Sequence, residues 1–486
     1  MKKIIFFILF GVSLYSCKDN PALIEEIPAT KVSHEQSKDL PCISLSNDEI
    51  NLLEELSNGT PKISQEHAME IANDFLKKCS TSGSISKHGT IMPKCEVLTK
   101  NRCILSKTGT TVEEIDTLLY LFNYDKGFAM VSADIRVPER ILAYSYEDYM
   151  SLEDDNPGIQ LFLDMTQDYI EYSINKNECT RDSLEMVLDE KISAEMENDT
   201  TTTSIISKSK KEISRSLVFS NVQSKHENTE IIGPYVQTLW HQGKPYNMFA
   251  PKRGGKFCKA GCVAVAFSQL MAYWRQPTIV DGGILYIWSP MFPPNIDTTV
   301  IATLIHSVGV SIHTKYDTSG SSAYTEDGIK LLKSYGYHTN DLVNYSFFSV
   351  TNSLDNKRPV IIDGRCMDTK ENKKVGHCWL IDGYAKERWS YSGIKRYLVM
   401  YKEDGTGIVT GEFEVIPETP NRTFYYQHFN WGWGAKIYQS YYSANVFDMH
   451  KEYKILPGKQ AKESITSYNK LNDYKYSVRI VTNIYF

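Results

Sequence analysis

Three things are scarce in this 486-residue chain, and each scarcity excludes a class of protein. Cysteine is the first: 10 Cys are too few for a scaffold stapled by disulfides, so each thiol must be read at its own position. Net positive charge is the second: Lys+Arg 53 against Asp+Glu 59 leaves −6, which removes a surface drawn onto nucleic acid by charge. Long apolar runs are the third: beyond the N-terminus no stretch approaches about 18 consecutive apolar residues, so no spanning helix is expected downstream. With 28 Gly and 18 Pro the chain is neither collagen-like nor low in complexity. It carries no internal repeat and no Gly-x-x-x-x-Gly-Lys-Ser/Thr phosphate loop. What is present is 42% hydrophobic residues, in a length that fits two or three domains with sizeable cores.

Lys2 and Lys3 precede an apolar run from Ile4 to Leu14, too short to span a bilayer and right for the core of a secretory signal. The run ends in Leu14-Tyr15-Ser16-Cys17, which resembles a bacterial lipobox. Residues 1–16 are therefore expected to be a lipoprotein signal peptide and Cys17 the lipidated new N-terminus. The protein is expected to be extracytoplasmic and held at the outer membrane. Residues 17–45 read as a polar tether.

A first packed unit is expected over 46–194. Ser64 caps a predicted helix in which Ala68, Ile71, Ala72, Phe75 and Leu76 form one apolar stripe. Leu118–Phe122, Gly127–Asp134 and Arg140–Ser145 read as strands, with Tyr124-Asp125-Lys126-Gly127 as a turn. Pro157 opens a further helix through Ile159, Leu161, Leu163, Tyr169 and Ile170. Residues 195–230, rich in Ser, Thr and Lys, read as a cleavable linker. The unit from 231 to 486 is rich in Tyr, Trp and Gly.

Four pieces in that last unit carry chemistry. Cys262 follows Gly261 at the start of a helical pattern, Val263, Ala266, Phe267, Leu270, Met271 and Trp274, which Pro277 stops. Helix N-terminal amides and dipole favour the thiolate, which is the nucleophile. His377 opens a strand in which His377, Trp379 and Ile381 share a face. Asn430 ends a Tyr-rich strand, where its amide suits the far nitrogen of an imidazole, and Trp431 is placed to shield that bond. Gln242 precedes the nucleophile and suits an oxyanion donor acting with the Cys262 N–H. Cys, His and an orienting amide follow the logic of nucleophilic acyl transfer. Cys258 is not read as the nucleophile, because no helix follows it directly, although a silencing Cys258–Cys262 disulfide stays open. Cys378 reads as packing. A zinc set of Cys258, Cys262, His377 and Cys378 lacks the paired spacing of structural zinc sites, so no metal and no cofactor are expected.

Gln-Gly-x-Pro-Tyr-Asn at 242–247, Gly-Cys-Val-Ala at 261–264, Gly-His-x-x-x-Ile-Asp-Gly at 376–383 and Asn-Trp-Gly-Trp-Gly at 430–434 resemble, in that order, the streptopain family of papain-like cysteine peptidases. Thr314–Ala323 looks like that family's Gly/Ser segment beside the cleft. Gly127–Tyr144 looks like its propeptide. Ala435 departs from the pattern, since Gly often follows there.

The resemblance implies an α+β architecture: a papain-like two-lobed catalytic domain, with a helical lobe and an antiparallel β lobe, preceded by a smaller α+β propeptide. It implies Cys262 as nucleophile, His377 as base, Asn430 as orienter, Gln242 as oxyanion donor and Trp431 as shield, in a zymogen activated by proteolysis. The expected partners are protein or peptide substrates, its own propeptide as intramolecular inhibitor, and the membrane through the N-terminal lipid. Nucleic acid is not expected, the chain is expected to be monomeric, and activation is expected to release it. A catalytically idle binding protein would keep the fold without needing Cys, His and Asn together. A standalone inhibitor module would act in trans, and acyl transfer to an amine would use the same triad.

Overall fold

The computed structural model describes residues 42–79, 92–100, 104–107, 116–197, 213–280, 284–368, 373–403, 407–435, 440–448 and 476–486. Cys17, the signal segment, nearly all of the expected tether and residues 198–212 of the expected linker lie outside them.

After β1 (Cys42–Leu45), Ser46 starts α1 (Asn47–Asn58) with a reciprocal capping box. Its hydroxyl accepts from Glu49 N, and the Glu49 carboxylate accepts from Ser46 N. The expected stripe of Ala68, Ala72, Phe75 and Leu76 is buried along α2 (Gln65–Cys79), and Ser64 Oγ accepts from His67 N at its start. An antiparallel run follows: β2 (Lys94–Thr99), β3 (Ile104–Lys107), β4 (Thr117–Asn123), β5 (Phe128–Ser132) and β6 (Ile141–Ser145). Gly127 closes the β4–β5 turn at φ 83°, and a Cβ there would lie 2.2 Å from Ser145 O, so only glycine lets the strands approach. α3 runs from Pro157 to Glu197.

β7 (Ile213–Ile232) occupies residues expected to be linker. Its backbone finds partners along the middle of a long strand, from Ile213 opposite Tyr401 to Ile232 opposite Tyr384. Ladder bonds of this kind hold a polar segment that shows no apolar period of its own. Then come α4 (Cys262–Trp274), α5 (Thr298–Ser311), α6 (Thr325–Ser334), α7 (Phe347–Asp355), β8 (Val360–Asp368), β9 (Lys373–Glu403), β10 (Gly407–Pro417), β11 (Asn421–Asn430), β12 (Ser440–Ser443) and β13 (Tyr476–Val481).

One 14-stranded sheet links both halves, in the order 343–344, β13, β8, β9, β11, β12, β6, β5, β4, β2, β3, with β10, β1 and β7 branching from it. The junction is β12 against β6, where Ser440, Tyr441 and Tyr442 face Ser145, Tyr144 and Ala143. Two cores lie on opposite faces of the β8–β9 strands. One joins Ile159, Leu161 and Phe162 of α3 to Trp379, Phe429 and Trp431. The other packs α4, α5 and α6 on Ile361, Cys378 and Leu380. The peptidase-like half is thus a helical lobe beside an antiparallel sheet lobe, the expected α+β arrangement. The described strands between residues 42 and 145 belong to this same sheet rather than to one standing apart from it.

Candidate active site

α4 begins at Cys262, with Gly261 at φ 96° as its cap, and ends where Arg275 turns left-handed before Pro277. Two bonds tie the preceding loop to the Gln242 segment: Ala260 N donates to Gln242 O at 2.9 Å, and Asn247 Nδ2 donates to Cys258 O at 2.8 Å. The sequence therefore brings Gln242, itself buried, to the approach of the nucleophile. Cys258 is buried, Cys262 is half-buried, and both are free thiols.

Cys262, His377 and Cys378 line one cleft of about 250 Å³, together with Lys315, Ser321, Ser322 and Ala323 of the Gly/Ser segment and with Thr325, Asp363 and Arg365. Ser321 Oγ donates to Lys259 O at 2.6 Å, fixing that segment beside the nucleophile loop. Asp363 sits on the cleft wall, accepting from Thr325 Oγ1, from Arg365 and from Arg479 Nη2 at 2.7 Å. Sequence reading did not find this cluster, because its members come from three elements far apart in the chain.

The strand alternation read at His377 holds. Trp379 and Ile381 enter the core under α3, while Cys378 and Leu380 enter the core under α4. The imidazole of His377 stacks on Trp379, with centroids 5.7 Å apart and planes at 18°, and lies edge-on to Trp433. Its Nε2 is 2.8 Å from Trp431 O. A carbonyl only accepts, so Nε2 carries the proton. Burial pushes His377 down to about 4, which the bond to Trp431 O only partly offsets, so the ring is neutral.

Asn430 ends β11 as expected, but its amide is engaged elsewhere. Nδ2 donates to Thr238 O at 2.9 Å, and Oδ1 accepts from Gln269 Nε2 and from Gly432 N, both at 3.2 Å. Gln269 is buried on α4 and also accepts from Thr238 Oγ1 and Trp240 N. His377 is thus bonded to the backbone of the residue after Asn430, one position from the amide expected to orient it. Trp431 is buried, with Nε1 donating to Tyr442 OH at 3.1 Å and its ring 4.9 Å from that of Trp379. Burial raises the Cys262 thiol, against the lowering effect of backbone donors from Cys378, Val263 and Cys262 itself. Desolvation outweighs the helix terminus here, and Cys262 is held as a thiol.

The N-terminal unit reaches this site through the first turn of α3. A Cβ on Gly158 would lie 2.3 Å from Trp431 Cζ3 and 2.8 Å from His377 Cδ2, and one on Gly364 would meet Leu161 Cδ2 at 2.3 Å. The backbone of α3 therefore packs directly on the tryptophan and imidazole.

Comparisons with known proteins agree with this division. A family model described as the Peptidase C10 family matches residues 240–293 and 286–442, and one described as Spi protease inhibitor matches residues 60–170. The thiol protease/hemagglutinin PrtT of Porphyromonas gingivalis is 23% identical over 241 residues, which is 42% of this chain and 23% of that protein. This chain thus spans under a quarter of the length of that relative. A Prevotella intermedia prointerpain A fragment superposes with a TM-score of 0.43 at 19% identity, covering 79% of this chain and 98% of that one. Active interpain A of the same organism gives 0.32 at 20% identity, covering 53% and 96%. The Spi-type match falls on the unit that packs on His377, and the C10 match spans Gln242, Cys262, His377, Asn430 and Trp431. Over residues 240–442, which carry the cleft, the chain is thus similar to the Peptidase C10, or streptopain-like, family of cysteine peptidases, and over residues 60–170 it is similar to Spi-type protease inhibitor domains.

Proposed function

We propose that the chain is the latent form of a secreted, lipid-anchored cysteine endopeptidase that cuts peptide bonds through Cys262, His377 and Asn430. The observation that carries this reading is the meeting of Cys262, at a helix N-terminus, with His377 in one cleft. In the assembled site His377 takes the Cys262 thiol proton, and the resulting thiolate attacks the scissile carbonyl, while Gln242 and the Cys262 N–H hold the oxyanion. His377 gives its proton to the leaving amine as the C–N bond breaks, leaving a thioester. Water attacks next, passing a proton back to His377, and the carboxylate product leaves. Asn430 orients the imidazole and Trp431 covers that bond.

Latency follows from misalignment rather than filling. Every described residue lining the cleft belongs to the peptidase half. The inhibitor domain instead meets the site where α3 packs on Trp431 and His377, with the His377 Nε2 proton held by Trp431 O. Removal of that domain would free the ring to take Asn430 as partner. Lipidation at Cys17 would place the monomeric precursor at the outer membrane, and cleavage after the inhibitor domain would release the peptidase once that domain dissociates from the shared sheet.

The test labels the full chain with a thiol-reactive peptide electrophile before and after nicking between 198 and 212. Label is expected on Cys262 only when nicking is followed by acid dissociation and removal of the inhibitor domain, and not on the intact or merely nicked chain. Cys262→Ala is expected to lower turnover by about 10⁴-fold or more. Label spread over Cys258, Cys366 and Cys378, or turnover that survives Cys262→Ala, overturns the reading. Lipidation is tested by Cys17→Ser, which should retain residues 1–16 and lose the acyl mass.

A further inference from the structure

Away from the cleft, three ligand-type side chains from distant parts of the chain converge. They are Cys79 at the end of α2, His226 on β7 and Glu387 on β9, and their ligand atoms all lie within 4.8 Å of one another. Cys79 and Glu387 are buried, and the His226 side chain is 11% exposed, which leaves the cluster an edge to solvent. His226 Nε2 is 2.9 Å from Glu387 Oε2, and Thr229 Oγ1 donates to the same oxygen at 2.6 Å. Tyr144 OH donates to the other oxygen, Oε1, at 3.1 Å. Among the described residues the only ion-pair partner of Glu387 is His226, so a carboxylate with no exposure has no Lys or Arg against it. The Tyr146 hydroxyl, in electrostatic reach of Cys79 and Glu387, is buried and makes no hydrogen bond.

We propose that Cys79, His226 and Glu387 bind a zinc-type divalent cation that fastens the inhibitor domain to the peptidase sheet. One thiolate, one imidazole and one carboxylate form a donor set suited to Zn²⁺. The charges close: a thiolate and a carboxylate with a neutral imidazole cancel a 2+ ion, which suits a buried site better than a lone carboxylate does. Binding displaces the Cys79 proton to solvent, so it is tighter at higher pH. A tetrahedral ion with bonds of about 2.0–2.3 Å needs only small opening of the His226–Glu387 contact. The fourth position falls to water, for which the Thr229 and Tyr146 hydroxyls are nearby partners. The three ligands come from the inhibitor helix, from the strand after residues 198–212 and from the central peptidase strand. An occupied site therefore ties together the pieces that activation must separate, and it does so whether or not the cleft is active.

The experiment uses the full chain carrying Cys262→Ala, which prevents self-cleavage and removes the half-buried cleft thiol, titrated with Co²⁺ and then Zn²⁺. One equivalent of Co²⁺ is expected to give a thiolate-to-metal charge-transfer band that Zn²⁺ bleaches, and Zn²⁺ is expected to raise the melting temperature. Cys79→Ala should abolish the band, while His226→Ala and Glu387→Gln should weaken binding by at least about tenfold. Should Cys79→Ala fail to fold, Cys79→Ser, which keeps the size and removes the sulfur, must lose the band while its metal-free melting matches the parent. Absence of a band, or a band that persists without the Cys79 sulfur, overturns the site.

Discussion

His377 shows how one side chain can hold a mechanism at rest. Its burial against Trp379, Trp431 and Trp433 keeps the ring neutral, with a folded value of about 4 against an ordinary value near 6.5. Because the folded value is depressed, the latent state is unaffected above pH about 6.5. As pH falls from there towards 4, any state with the ring released binds a proton that the buried ring refuses. That loss reaches about 3 kcal/mol and levels off below 4. Processing of the full chain is accordingly expected to quicken on acidification. In chemical denaturation of the Cys262→Ala chain between about pH 7 and pH 5, stability should fall more than it does with His377→Asn added; equal slopes would contradict the buried neutral imidazole. At this scale the motifs singled out Cys262 and His377, which line one cleft, but not the partners these side chains bond. Asn430 is held by Thr238 and Gln269, which lie 192 and 161 residues away along the chain, and no local pattern reports such a bond.

Elements with a clear apolar period were legible. α2 follows its stripe, α4 runs between the predicted Cys262 and Trp274, and α3 starts at Pro157. β7 was not, because its pairing with β9 comes from a strand 150 or more residues away rather than from its own side chains. α3 joins the inhibitor unit to the site, and its first turn tolerates only hydrogen at position 158. Gly158→Val places methyl groups into Trp431 and His377, and such overpacking costs about 1–3 kcal/mol. Since the strain belongs only to the docked state, the variant is expected to mature faster and to label at Cys262 without nicking. A variant that matures no faster than the parent would show that α3 does not set the imidazole's position.

Across the whole molecule, composition and motif order were enough for an α+β peptidase behind a smaller unit, yet they suggested two bodies joined by an open linker. The sheet is continuous instead, and the apolar cores cross the join: Ile159 and Phe162 pack with Phe429 and Tyr442, and Phe75 packs with Trp389 and Tyr426. Cutting the chain between 198 and 212 is therefore expected to leave both fragments associated. They should co-elute in size-exclusion chromatography and separate only in denaturant or at acid pH, whereas immediate separation would show that the cores contribute little to holding them. The join itself, three residue pairs between β12 and β6, has a further meaning for the mature enzyme. Once β6 departs, Ser440–Ser443 becomes an outer strand whose amides and carbonyls seek a new neighbour. Until then β6 covers that edge, and the brevity of the strand it uncovers limits how readily released molecules can aggregate.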